Sequence, residues 1–581
     1  MTPARVEQEE TYDYIICGGG TSGCVIAGRL AEIPNTSILV LEAGPDHADL
    51  ENVHMPGGWS ANFDSETDWN IIGEPQSALN DRSVKHSRGR FLGGSSGVNG
   101  TLCIRGLKTD YDDWGLEEWT GEKMWGYMAK AETFHPKPWF QEDKSVHGTS
   151  GPLHIAPHDL PPISELVKES MIDRGLPFVP DMFTTGETPH GCGHVMRTIH
   201  QGIRSTAADF ITKGFRRENI TIKTDVTVDK VILSKADDGE LTATGVLALS
   251  KEGAQVSYKA RKEVILSAGA YCSPPILLRS GIGPKSELQK HGIECQVDLP
   301  GVGKNLQDHV LCFIFYEVSR PDLTLDAQVY HGTSAASTYK LYKDTKTGLL
   351  STFPFGMFAY SRLSDRLQDS PLWTSAPHPP GRDAMHLSAA QPHAEIWNTE
   401  LYGGPKQLTD FPTDGQHAFA MCPLLFSQRS RGSVTLKSKD CRENPVVDHK
   451  YLDDPLDMLV MSEACRLANE IAVKGKGTRD VVKGSWPPHL KHHTYETREQ
   501  WEGYVREHGT TCYHASGTCA MGKPEDKDAV LDSRLRVRGV KNLRVADVSS
   551  IPILNNGHTQ MVAYGIGEGA AELIKADAGV V

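Results

Sequence analysis

The chain of 581 residues is 39% hydrophobic and 23% charged, which is ordinary globular material, and it is long enough for two or more domains. A net charge of −14 without any lysine or arginine run excludes nucleic acid and anionic membrane surfaces as expected partners. No apolar run nears the roughly 20 residues that span a bilayer; Met1 to Glu10 is polar, Ala578 to Val581 is no peroxisomal address, and the 12 cysteines lack a CxxC pair, so a cytoplasmic protein with reduced thiols is expected.

The first 44 residues carry the most local information. Tyr14 to Cys17 reads as a strand, Gly18, Gly20 and Gly23 as a tight turn, and the following residues as a helix with Ala27, Leu30 and Ala31 on one face. A second strand, Ile38 to Leu41, ends on Glu42 and Ala43. This is a βαβ nucleotide cradle. Gly18 permits the turn, Gly20 lets backbone approach a pyrophosphate, Gly23 lets helix meet strand, and the diphosphate sits on the helix N-terminus beside Thr21 and Ser22. Glu42 lies 19 residues after Gly23, where a carboxylate takes ribose hydroxyls, so the expected ligand is FAD or NAD rather than NADP.

Asp68-Trp69-Asn70 begins a short strand, and Arg88 to Gly100 follows as a loop too rich in Gly and Ser to pack as helix or strand. Its flanks, Phe91, Leu92, Leu102 and Ile104, predict burial rather than a free surface loop. Ile220 to Leu233 alternates as strands do and reads as a hairpin or meander. Val264 to Ala270 reads as a strand returning to the central sheet, followed by a short capped helix that starts at Ser273-Pro274-Pro275 and stops before Gly281. From about Gln307 to Arg431 aromatics and prolines appear without a nucleotide motif, which marks a second domain; Phe353 to Phe358 and Ile396-Trp397 read as core ahead of pocket.

Two of the 24 histidines stand out: His514 in the stretch Tyr513 to Gly522, and His558 just before a helix that begins near Thr559 and Gln560. Alcohol oxidation by a flavin needs the hydroxyl proton removed while hydride leaves for N5, and imidazole titrates near neutrality. A second imidazole can orient the oxygen, and the helix N-terminus would stabilise the reduced flavin anion. The cluster His190, Cys192, His194 and His200 lacks the fixed spacing of a zinc site, so no metal is expected. Ser95-Ser96 is not GxSxG, which disfavours a serine hydrolase.

Taken together these motifs resemble the glucose-methanol-choline (GMC) oxidoreductases over nearly the whole chain. The cradle through Glu42-Ala43-Gly44 is similar to the family's FAD-binding start, and Gly93 to Asn99 and Gly269 to Pro284 to its two signatures. Ser430 to Leu436, His514 to Thr518 and Val545 to Pro552 are similar to its C-terminal half. The resemblance implies an α/β protein: a Rossmann-like FAD domain, 11–306 and 511–576 with an insertion near 155–215, and a substrate domain, mainly 307–510, on a largely antiparallel sheet with flanking helices. It implies His514 as the catalytic base and His558 as its partner. It places Gly18, Gly20, Thr21, Ser22, Gly23, Glu42, Ala43, Trp69, Gly94, Ser95, Asn99, Gly100, Val228, Ala546, Asp547, Thr559 and Gln560 against FAD.

No histidine lies between Arg90 and Arg105, where some members attach flavin, so FAD is expected to be non-covalent. The sequon at Asn99 is expected to stay unmodified because Asn99 would face the cofactor. The function implied is FAD-dependent oxidation of a small-molecule alcohol, primary and aryl or otherwise bulky, with O2 (yielding hydrogen peroxide) or another acceptor reoxidising the flavin. A non-redox lyase or cyclase with structural FAD is one alternative. Formate oxidation is another, disfavoured because formate-oxidising members carry arginine where this chain has His558. A nicotinamide dehydrogenase is disfavoured by the second Gly-rich loop. Ala515, where many members have proline, departs from the family pattern.

Overall fold

The computed structural model describes residues 10–213, 218–237, 239–403 and 411–580. Two eight-stranded sheets organise them. The first runs Ile220–Lys223, Ile38–Leu41, Glu10–Cys17, Gln255–Leu266, Leu241–Leu249, Thr227–Lys235, with Leu543–Val545 beside the second half of Gln255–Leu266. Its core pairings are parallel, as between Tyr14 and Ile38 and between Val264 and Leu543. Tyr14 to Cys17 and Ile38 to Leu41 are buried on both faces, which is why they read as unbroken apolar runs rather than alternating ones.

The stretch 220–233 divides: its second half opens an antiparallel meander with Leu241–Leu249 and Gln255–Leu266, and its first half does not join it. Ile220–Lys223 pairs parallel with Ile38–Leu41, while Thr227–Lys235 pairs antiparallel with Leu241–Leu249. Between them Asp225 takes φ +57°, and its N–H and that of Val226 donate to the carbonyls of Gly44 and Glu42. The chain therefore crosses the carboxyl end of the Glu42 strand, a long-range placement that residue alternation does not encode.

The second sheet runs Val482–Ser485, Ile314–Val318, Ala418–Leu425, Ala394–Thr399, Phe355–Ser361, Gly191–Gly193, all antiparallel. One face packs on the long helix Pro455–Lys474. Short strands Val310–Leu311 and Thr510–Thr511 pair at its margin and carry the chain into the loop that holds His514.

The C-terminal helix Thr559–Asp577 lies against Thr21–Leu30, fixed by a buried ion pair of Arg29 with Glu568 at 2.7 Å and a hydrogen bond from Ser22 Oγ to the Ala563 carbonyl at 2.7 Å. Both helices thus start at the same cleft. Among the described residues no helix is long and apolar enough to cross a membrane, and all 12 cysteines are unpaired.

Candidate active site

A solvent-accessible cleft lined by residues of both sheets runs between them. At one end its walls are mostly backbone. Gly18 has φ +107°, and a Cβ on Gly23 would lie 2.1 Å from the Gly18 carbonyl oxygen, so turn and helix touch without room for a side chain. Beside Gly20, by contrast, the nearest atom to a built Cβ is 3.7 Å away. The helix that begins at Thr21 has no side-chain cap, and neither does the one that begins at Thr559. Uncapped N–H groups at both helix starts therefore face the cleft, as an anionic dinucleotide requires.

Glu42 accepts from the N–H of Gly19 at 3.0 Å and of Gly44 at 2.9 Å, while burial pushes its pKa up to about 7. Ala43, Trp69, Gly94, Ser95, Gly100 and Val228 also line the cleft, with Val228 next to a break in strand register. Two expected cofactor contacts do not line it. Gly23 acts through helix packing. Ala546 is buried behind the wall, its carbonyl accepting from Ser267 Oγ at 3.0 Å. Asp547 lines the cleft, yet its oxygens accept from Gly269 N, Ser273 Oγ and Ser549 N at 2.6 to 2.8 Å, so it orders the wall itself.

At the other end the walls are side chains. His514 and His558 come together with ring centroids 4.5 Å apart. His514 follows Tyr513, whose φ of +62° is strained for a non-glycine residue, as is common at sites held by their surroundings. Asp308 is the clamp. It accepts from the His514 N–H at 2.7 Å, from Thr511 Oγ1 at 2.5 Å and from the Tyr451 hydroxyl.

His514 Nδ1 lies 2.9 Å from His309 Nδ1, and His558 Nε2 lies 2.8 Å from Glu395 Oε2. Burial holds the His514 imidazole well below its ordinary pKa, helped by the nearby His558, His309 and Arg88. Burial, with His558, does the same to His309. Burial thus favours the uncharged form of His514. Asn99 is fixed between Arg204, which donates to its carbonyl and Oδ1 at 2.8 Å, and Gln560, which accepts from its Nδ2, so both ends of the sequon amide are engaged.

His309, Asp308, Glu395, Cys512 and Arg88 escape sequence reasoning. Glu395 had a signal: one carboxylate inside the apolar strand Ala394–Thr399. The aromatic cluster divides. Phe353 and Phe355 line the cleft, Phe358 is core, and Trp397 serves both. The ligand-rich stretch near residue 190 does not converge: His190 contacts the Gly175 carbonyl, His194 packs on Trp139, and His200 stacks on His135.

A parallel-cored sheet with a Gly-rich cradle, and an imidazole pair contributed by the margin of the antiparallel sheet and by the start of the C-terminal helix, is the pattern of a dinucleotide-dependent oxidoreductase. The chain belongs to the GMC oxidoreductases: residues 12–311 match that family's N-terminal model and residues 428–567 its C-terminal model. FAD is the family's typical cofactor, and the open glycine face and paired helix starts fit it. An oxygen-dependent choline dehydrogenase from Paraburkholderia phymatum is 32% identical, over 97% of this chain and 92% of that protein. The crystal structure of formate oxidase superposes with a TM-score of 0.90 at 29% identity, covering 99% of this chain and 100% of that one. A fungal aryl-alcohol oxidase gives 0.81 at 26%, covering 98% and 100%.

Proposed function

We propose that the protein oxidises a primary alcohol of aryl or otherwise bulky structure, with non-covalent FAD and with dioxygen as the final acceptor. The observation that carries this reading is the buried pair His514 and His558, one held neutral against His309 and the other paired with Glu395. A contact between two Nδ1 atoms needs one donor and one acceptor. With His514 donating, its Nε2 keeps a lone pair and takes the substrate hydroxyl proton. His558, polarised by Glu395, holds the substrate oxygen as negative charge develops on it. FAD, when bound, supplies the acceptor for the two electrons that leave as hydride. Cys17 to Ser22, Glu42, Asn99 and the start of the Thr559 helix bind and orient it, the first sheet serving the cofactor and the second the substrate.

The substrate end is walled by Trp59, Phe63, Phe313, Phe353, Phe355 and Trp397, which favours a flat apolar group. The choline and aryl-alcohol relatives act on alcohols, in keeping with this. The similarity to formate oxidase favours a second reading, formate as donor. Against it, the Glu395 carboxylate already pairs with the imidazole that would have to receive a carboxylate.

The test is anaerobic mixing of the flavoprotein with aryl, allylic and aliphatic alcohols and with formate, following the oxidised-flavin absorption. Bleaching by aryl alcohols supports the reading, bleaching by formate alone replaces it with the second, and a flavin that no donor bleaches rejects both.

A further inference from the structure

Cys512, His514 and His558 bring one sulfur and two ring nitrogens within 4.8 Å of one another. Cys512 Sγ stands 3.9 Å from His514 Nε2. The remaining nitrogen of each histidine is already engaged, Nδ1 of His514 with His309 and Nε2 of His558 with Glu395. The other nitrogen of each ring, His514 Nε2 beside Cys512 Sγ and His558 Nδ1, is left for a ligand. Zinc-ligating histidines are held in the same manner, by a carboxylate or other acceptor on the far nitrogen that fixes the ring and raises its basicity. All three residues line the solvent-open cleft, so an ion has an entry path.

The second convergent group, His86, Asp308 and His449, is unlike this one. The two imidazoles stack face to face at 4.3 Å, and Asp308 already accepts three protein hydrogen bonds. Stacked rings cannot aim both in-plane lone pairs at one ion.

We propose that Cys512, His514 and His558 form a reversible Zn2+ site that switches the enzyme off by occupying the lone pair of the base. One thiolate and two imidazoles make the three-ligand set of an open tetrahedral zinc site, with water or substrate oxygen in the fourth position. Metal–ligand distances of about 2.0 to 2.3 Å need the donors to draw together by roughly 1 Å, a rotamer-scale adjustment. The thiolate and the Glu395 carboxylate together balance the two positive charges, which makes a dication tolerable in a buried place. On binding, the Cys512 S–H bond gives way to an S–Zn bond and the proton leaves to solvent, with no change of oxidation state. Affinity therefore falls as pH falls.

The FAD-loaded protein titrated with Zn2+ against a chromophoric chelator tests this, with Cd2+ in parallel for its thiolate-to-metal absorption. One equivalent at micromolar concentration or tighter is expected, released by EDTA. Cys512→Ser should weaken binding at least about tenfold and abolish the Cd2+ band, and His558→Ala should weaken binding similarly. Wild-type protein that takes up no stoichiometric metal overturns the proposal, as do Cys512→Ser and His558→Ala proteins that bind as tightly as wild type. Because no substrate is involved, the result stands whether or not an alcohol is the donor.

Discussion

The two ends of the cleft recognise in different ways. The dinucleotide end is built from backbone: Gly18 and Gly23, where a Cβ would collide, the open face at Gly20, and two uncapped helix starts. The ring end is built from buried side chains that hold one another, His514 on His309 and Asp308, His558 on Glu395. A backbone site binds by shape and dipole and fails when volume is added. A side-chain site works through proton position and fails when one partner is deleted, while the cofactor stays bound. Binding and chemistry should therefore come apart under mutation.

The largest effect falls on the backbone end. Gly23→Val forces atoms into the Gly18 carbonyl, and such overpacking costs about 1 to 3 kcal/mol before any ligand is considered. The purified variant should be colourless and melt at lower temperature, whereas a fully yellow protein would break the contrast. Next comes His514→Ala, which should keep full flavin content and lose about 10^2 to 10^4 in the rate of flavin reduction by alcohol, the usual worth of a general base. Glu395→Gln keeps a hydrogen bond to His558 but removes its charge. A drop of about tenfold is expected, equivalent to about 1.4 kcal/mol, again with FAD retained by absorption.

Two pH profiles sharpen the comparison further. His514 must be neutral to act, and burial depresses its pKa, so the rate of flavin reduction should be flat from about pH 6.5 upward and decline only in more acidic solution. An inflection above pH 7 would mean that the base is another group.

The smallest effect lies away from the cleft, at buried His147, which Asp181 and Glu132 hold at 3.1 Å each. Desolvation opposes its charge, but the two carboxylates outweigh it and raise its pKa above the ordinary value. Its stabilisation is therefore fully present below the unfolded-state pKa and is lost as pH rises through the higher folded value. The melting temperature should decline modestly over that window, and His147→Gln should flatten the decline.

What the sequence made legible follows the same division. The cradle, the strand at Val264 to Leu266, the helix at Ser273–Arg279 and the helix starting at Thr559 are encoded in contiguous residues, because turn chemistry and periodicity act locally. His514 and His558 were legible through motif order. Their partners were not. His309 and Glu395 reach the site through the margin and middle of an antiparallel sheet assembled from strands far apart in sequence. The 220–233 stretch was legible only in its second half, since its two halves answer to different neighbours in the first sheet. Ala546 shows a finer limit: it sits in the expected motif but turns into the core, a choice made by its hydrogen bonds to Leu266 and Ser267.

The proposed reaction turns on proton removal by the His514 imidazole at an otherwise intact flavin site. Rapid anaerobic mixing of FAD-replete His514→Ala with the best alcohol of the panel tests it most directly. Flavin reduction slowed by at least two orders of magnitude is expected, with cofactor stoichiometry and visible spectrum unchanged. Reduction at the wild-type rate would contradict it.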